Sequence, residues 1–450
     1  MTQSRRPFRW QSLRSGCWPH AGLFLAILLG CAPPGQGAEP LRLESAVQSA
    51  LAHHERAAIA AQQSKAARAQ VSQAWSVLLP SLRLDLGRSE FASEGGTSGS
   101  STYEGWEAHV GADQLLFDAQ ALPLVSQARH GSKAAQWDER KERRSLAFET
   151  AAAFLDAYSR RQVARAAAER RSLASRTLDE IRVRSESGLV GSNDLTRAEL
   201  ELASAEREWV QSKGAAHSGL LRLKTLTGTL DVDSLATPDD LLATSAIPAD
   251  AVPAAEVLTR RPDVGAARER ALAARAAARE PLTRWVPDLS VSADAWSDES
   301  EDFRKADEHW SWGLNLGWSV FDGGLRLAQL SQRRAEERAA QLRSQWLERQ
   351  VGVELELART SLQSAQAGLA RAEAAVRAAR RNSLESTELY RQGLIRALEA
   401  TDAAVQLFAA EVELTQAQVA QALAWLELRA ARGLGPLESD EKEWNKCRAR

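Results

Sequence analysis

The 450-residue chain holds only three cysteines, Cys17, Cys31 and Cys447, and the first lies in a segment that reads as a targeting signal. No disulfide framework and no cysteine-based metal site can be written from them. The net charge is only -2 at pH 7, which removes any electrostatic case for a nucleic-acid partner. Proline (14) and glycine (27) are sparse while Ala, Leu, Arg, Glu and Gln abound, so a few long helices are favoured over many small folds. Beyond the N-terminal segment no run approaches the roughly 20 apolar residues of a membrane helix, so a chain that enters a bilayer must do so as strands. A nucleotide loop, a nucleophile motif and a pair of catalytic acids are missing, which argues against an enzyme and leaves energy to a partner. Adjacent His53 and His54 lack the further ligands a metal site needs, and no cofactor is expected.

Near the N-terminus Arg5, Arg6, Arg9 and Arg14 precede the short apolar stretch AGLFLAILLG, Ala21 to Gly30, the layout of a secretory signal. Residues 1–38 are read as that segment, and the mature protein as exported. Two processing routes stay open. LLGC, Leu28 to Cys31, resembles a lipoprotein box that would leave a lipidated Cys31, whereas cleavage nearer GQGAEP would remove that cysteine.

The chain then says the same thing twice. LLPSLRLDLG (Leu78–Gly87) aligns with WVPDLSVSAD (Trp285–Asp294), LLFDAQ (Leu115–Gln120) with SVFDGG (Ser319–Gly324), and Gly188 with Gly393, at an offset of roughly 205 residues. Each half reads helix, hairpin, long helix, break, helix. The first spans 39–228 with a hairpin near 81–118 and a tip turn at 188–193. A connector rich in Asp, Pro, Thr and Ser covers 229–252. The second half spans 253–435 with a hairpin near 288–322 and a tip turn at 393–396, and 436–450 is a polar tail.

From Gly324 to Gln392 there is no proline, and Leu355, Ala358, Leu362, Ala365, Leu369, Ala372, Val376 and Ala379 keep a three-four spacing. That is a coiled-coil seam whose alanines let helices approach closely. At 1.5 Å per residue such a helix would be roughly 100 Å long. The hairpins alternate instead. Trp310, Trp312, Leu314, Leu316, Trp318 and Val320 share one face against Ser311, Gly313, Asn315, Gly317 and Ser319, and Trp106, Ala108, Val110 and Ala112 oppose Glu107, His109, Gly111 and Asp113. Two such hairpins have no second sheet to cover their apolar side, so burial in lipid is the economical solution.

Four strands cannot close a membrane barrel, and open edges in lipid would strand backbone groups without partners. Two copies would give eight strands and a filled interior, whereas three give twelve and a lumen. The expected fold is therefore mainly α with a membrane β-barrel portion. It is internally duplicated, with long coiled-coil helices forming an α-helical barrel and four strands per chain completing a trimeric twelve-stranded β-barrel. The competing reading is a periplasmic coiled-coil scaffold without a conducting pore.

The order of LRLESAVQSAL, the paired hairpin motifs, LTRRPDVGAAR and both tip motifs, over roughly Leu41 to Gly435, resembles the TolC-like outer membrane factors. These are exit ducts of Gram-negative tripartite efflux and type I secretion systems. The resemblance implies a homotrimer in the outer membrane with a long periplasmic tunnel, a periplasmic adaptor protein and an inner-membrane transporter as partners. It also implies a gate where the helices break. YRQGLIRALEATDA places a pair of pore-facing acids at Glu399 and Asp402 and a gate-linking tyrosine at Tyr390, and GLVGSNDLTRA places a first-repeat aspartate at Asp194. Two departures bear on the closing salt bridges: Ile395 stands where an arginine is expected, with Arg396 one step later, and Glu399 where aspartate is usual. Residues i and i+3 share a helix face, so threefold symmetry would gather six carboxylates at a narrow opening. Gly188, Leu189, Val190, Gly393, Leu394 and Ile395 put small and apolar residues where adaptors of this family dock, although a helical hairpin needs glycine there in any case. The transported substrate has no signature.

Overall fold

The computed structural model describes residues 40–94, 100–188, 190–228, 234–238, 242, 254–300 and 307–437. The signal segment with Cys31, most of the connector, the tail beyond Leu437 and Leu189 lie outside the described residues.

The described residues hold thirteen elements of regular structure, beginning with α1 (Leu43–His53) and α2 (Glu55–Ser76). His54 separates these two in an extended conformation, and its Nδ1 caps α2 by accepting from the Arg56 N–H at 3.1 Å. Next come β1 (Ser81–Glu94), β2 (Ser100–Phe117), α3 (Ala121–Glu186) and α4 (Ser192–Thr227). The second half supplies α5 (Ala254–Arg260), α6 (Pro262–Ala277), the single turn α7 (Glu280–Thr283), β3 (Asp288–Ser300), β4 (Asp307–Gly317), α8 (Leu325–Arg391) and α9 (Ala397–Ala431). Helices α3 and α8 run for 66 and 67 residues, consistent with the absence of proline beyond the first turn of either. No described helix is apolar enough to cross a membrane.

The seam expected on α8 is real. Leu355, Ala358, Leu362, Ala372 and Val376 are buried, and Ala365, Leu369 and Ala379 are half-buried. Helix α8 pairs with α9, and α3 pairs with α4 in the same way; α3 also packs on α1, α2, α6 and α9. The main core therefore forms where the two halves meet. There Leu146, Phe154 and Leu155 of α3 are enclosed by Val47 of α1, Leu223 of α4, and Ala422 and Leu426 of α9. Burying Phe154 contributes on the order of 2–3 kcal/mol.

The four strands form one antiparallel sheet in the order β1-β2-β3-β4, so β2 of the first half pairs with β3 of the second. Register aligns the apolar residues in rows, Leu82–Ala112–Ala293–Trp312 and Leu84–Val110–Ala295–Trp310. No described residue covers that face: Leu82 is 78% exposed and Trp312 69%. On the opposite face His109 lies between Asp85 (Nδ1 to Oδ2, 3.6 Å) and Asp294 (Nε2 to Oδ1, 3.1 Å), and Trp296 stacks on His309. Gly111 makes room for this contact, since a Cβ there would meet Asp294 Oδ1 at 3.2 Å. The outer edges of β1 and β4 have no strand partner among the described residues.

One strand is shorter than its alternation suggests. β4 ends at Gly317 rather than near 322, so Trp318 and Val320 lie beyond the ladder. Its partner β3 begins at Asp288, directly after Pro287, which has no N–H to donate. The Val320 carbonyl instead accepts from Arg326 Nη2 at 3.0 Å, while Asp322 accepts from the N–H groups of Gly324 and Arg326 and starts α8. Arg326 is itself buried, and its guanidinium covers the Trp285 ring at 4.1 Å.

Candidate functional site

Both long helices stop by the same device. At the end of α8, Gly393 has φ +74°, its N–H donates to Tyr390 O, and the Leu394 N–H donates to Leu389 O at 2.9 Å. That pair of bonds is a Schellman cap, which requires a left-handed residue after the last helical turn. Gly188 has φ +73° and donates to Ser185 O at the end of α3. An added Cβ would meet nothing within 4 Å at either glycine, so backbone conformation alone demands the residue.

The second tip helices also start alike. Asp194 is the third residue of α4 and Glu399 the third of α9, each in the first turn where a carboxylate favours the exposed N–H groups. Asp402 follows on the same face as Glu399, and both are exposed, without an ion-pair or hydrogen-bond partner among the described residues. Asp194 is half-buried, with no carboxylate bond of its own. One chain thus presents the acids separately.

Tyr390 is placed differently. Its side chain is 9% exposed and packs with Leu178, Ile181 and Ala198 of the first half and Ala397 of its own, with Val190 and Ile395 at the margin. The Arg184 guanidinium covers the ring at 4.8 Å. The hydroxyl is buried and has no hydrogen-bond partner among the described residues. Tyr390 therefore joins the tips of the two halves through its ring, and Arg184 is a neighbour that sequence spacing did not announce. At the turns themselves Gly188, Gly393 and Leu394 are exposed, and Leu189 lies outside the described residues.

A second group gathers at RRPD, Arg260 to Asp263. Pro262 does open α6, but Arg261 is buried, donating to both oxygens of Asp263 and from Nη1 to Glu354 Oε2 at 2.6 Å. Burial opposes its charge, yet these bonds outweigh burial and raise its pKa. Burial likewise opposes ionisation of Asp263, and the Arg261 guanidinium outweighs it, holding the carboxyl below the usual range. His54 Nδ1 lies 3.9 Å from Glu55 Oε2, and no group of three or more His, Cys, Asp and Glu that could hold a metal ion occurs among the described residues.

Comparison with known proteins adds the missing context. A search of curated proteins returned no match. Among solved structures, the CmeC outer membrane channel of Campylobacter jejuni superposes with a TM-score of 0.75 at 18% identity, covering 90% of this chain and 88% of that one. VceC of Vibrio cholerae gives 0.71 at 21%, covering 88% and 97%. The open state of the Neisseria gonorrhoeae MtrE channel gives 0.72 at 21%, covering 88% and 89%. At such identities the likeness establishes the fold. The family model for the outer membrane efflux protein matches residues 46–229 and 254–434, one segment in each half. With most of its length matched, the chain belongs to the outer membrane efflux protein family and is a protein of the outer membrane.

Proposed function

We propose that three copies close their sheets into one twelve-stranded barrel, and that the paired helices continue its wall as a hollow cylinder through the periplasm. The complex is a passive exit duct, not an enzyme, for a tripartite efflux or type I secretion system. It receives substrate from an inner-membrane transporter through a periplasmic adaptor. The uncovered apolar face of a sheet with two unpaired edges carries this reading, because lipid covers the face and neighbouring copies satisfy the edges. The mature chain begins after residues 1–38, or at a lipidated Cys31, and its halves 39–228 and 253–435 serve as equivalent wall units.

The tips form the gate. Glu399 and Asp402 line the opening, Asp194 joins the closing contacts, and Tyr390 holds the two hairpins of one chain together. The turns Gly188–Leu189–Val190 and Gly393–Leu394–Ile395 meet the adaptor. Purification in detergent should yield a particle of three chains that conducts ions in a planar bilayer. Extraction without detergent as a non-conducting protein would point to a coiled-coil scaffold. Leu189→Asp with Leu394→Asp should abolish cross-linking to the adaptor while leaving trimers intact; undiminished cross-linking would remove the tips from the docking surface.

A further inference from the structure

One row on the polar face of the sheet differs from its serines, glycines and asparagine. Register sets Asp85 of β1, His109 of β2, Trp296 of β3 and His309 of β4 side by side across all four strands. An indole on this face takes no part in the apolar contact of the opposite one, and here it carries the His309 ring, stacked at 5.6 Å with 28° between planes. His109 is held from both sides, by Asp294 Oδ1 at 3.1 Å from Nε2 and by Asp85 Oδ2 at 3.6 Å from Nδ1. A carboxylate only accepts, and a neutral imidazole has a single N–H, so in that form one contact sets a nitrogen lone pair against a negative oxygen. The imidazolium donates toward both. Gly111 in the adjacent row leaves the room, since a Cβ there would also meet His109 Cε1 at 3.4 Å.

Solvent reaches these groups, for the His109 side chain is 41% exposed and His309 is exposed as well, so protons exchange freely with them. The charged neighbours of the row are Arg83, opposite Gly111 in the next row, and on the other side Glu107, whose register partner is Asp298. Carboxyl and guanidinium groups as classes titrate outside about pH 5 to 8 and imidazole titrates within it, so the two histidines are what can change the charge of this surface near neutrality. Protonated His309 would in addition face the Trp296 ring as a cation.

We propose that Asp85, His109, Asp294 and His309 form a proton-sensitive charge band in the lumen of the barrel and set the charge preference of that end of the duct. With both histidines neutral the four groups carry two negative charges per copy, and with both protonated they carry none. The inference rests on the trimeric barrel proposed above, in which this face lines the lumen and three copies repeat the band. Cations are then favoured near neutral pH, and the preference weakens in acid. Salt decides where it can be read. At about 0.1 M the field of a wall charge fades within roughly 10 Å and the narrow tip governs selectivity, whereas at about 0.01 M it reaches roughly 30 Å into the lumen.

The test uses the full chain in planar bilayers under a KCl gradient near about 0.01 M, with Glu399→Ala and Asp402→Ala present so that the tip carboxylates contribute nothing. The potassium-to-chloride permeability ratio should fall about twofold or more between about pH 8 and about pH 5.5. Adding His109→Asn with His309→Asn should hold the high ratio at both pH values, and adding His109→Lys with His309→Lys should hold the low one. A purely structural role for the imidazoles would not split the two pairs in this way. Each pair decides by itself, so a pair that fails to assemble as trimers leaves the other as the test. A channel that conducts with no fall in the ratio, or a fall that persists in either double variant, would overturn the proposal and leave the duct standing. No conductance from the unaltered protein would overturn the barrel reading and the band with it.

Discussion

Trp312→Arg should prevent the protein from accumulating in the outer membrane, whereas Ser311→Arg, one residue away, should accumulate normally. The two positions face opposite sides of β4: Trp312 stands in the row Leu82–Ala112–Ala293, and Ser311 pairs with Asp294 on the polar side. An arginine on the lipid face of a barrel costs about 2–4 kcal/mol near the bilayer midplane, so the three copies of the proposed trimer bring roughly 6–12 kcal/mol. That rivals the roughly 5–15 kcal/mol by which an ordinary domain is stable. On the polar face the same side chain meets water and a carboxylate. Membrane fractionation with heat-resistant trimer counting checks both variants, and equal accumulation would mean that the apolar face does not meet lipid.

The second large effect is expected at the tips. Replacing both Glu399 and Asp402 with Ala should bring the cation-to-anion selectivity of the reconstituted channel close to unity and weaken block by multivalent cations by about tenfold or more. The acids are exposed and have no side-chain partner among the described residues, so their removal takes away no described ion pair or side-chain hydrogen bond. Trimer yield should therefore be unchanged, which separates a change in the pore from a change in assembly. Unaltered selectivity together with unaltered block would reduce Glu399 to a helix-start carboxylate and Asp402 to a solvated one.

What sequence revealed and what it concealed divide along one physical line. The seam of α8, the glycines at 188 and 393 and the two faces of the hairpins are periodic or local, and a period or a required φ is visible without knowing any partner. The end of β4 was misjudged because alternation continues through Trp318 and Val320 after the ladder has lost its partner. Asp322 and Arg326, at i and i+4 beside two glycines, were the local signal that the chain turns there. Partner choice over long separations left no trace. Arg144 finds Ala430 O, Arg261 finds Glu354, and Tyr390 finds Arg184, and no spacing rule selects these pairs from the chain's many arginines. Tyr390 was singled out by resemblance, but its buried ring and unsatisfied hydroxyl are properties of packing between halves.

The unpaired outer edges of β1 and β4 also bear on biogenesis. A lone copy entering lipid would expose a ladder of N–H and C=O groups to hydrocarbon, at several kcal/mol for each group left unsatisfied. For the proposed trimer, this cost couples insertion to closure. If three copies close one barrel as proposed and free copies are scarce, the supply of finished channels falls with up to the third power of their concentration, and each waiting copy presents two adhesive edges to other exported proteins. In that regime, a cell that halves synthesis of this chain would lose far more than half of its proposed ducts.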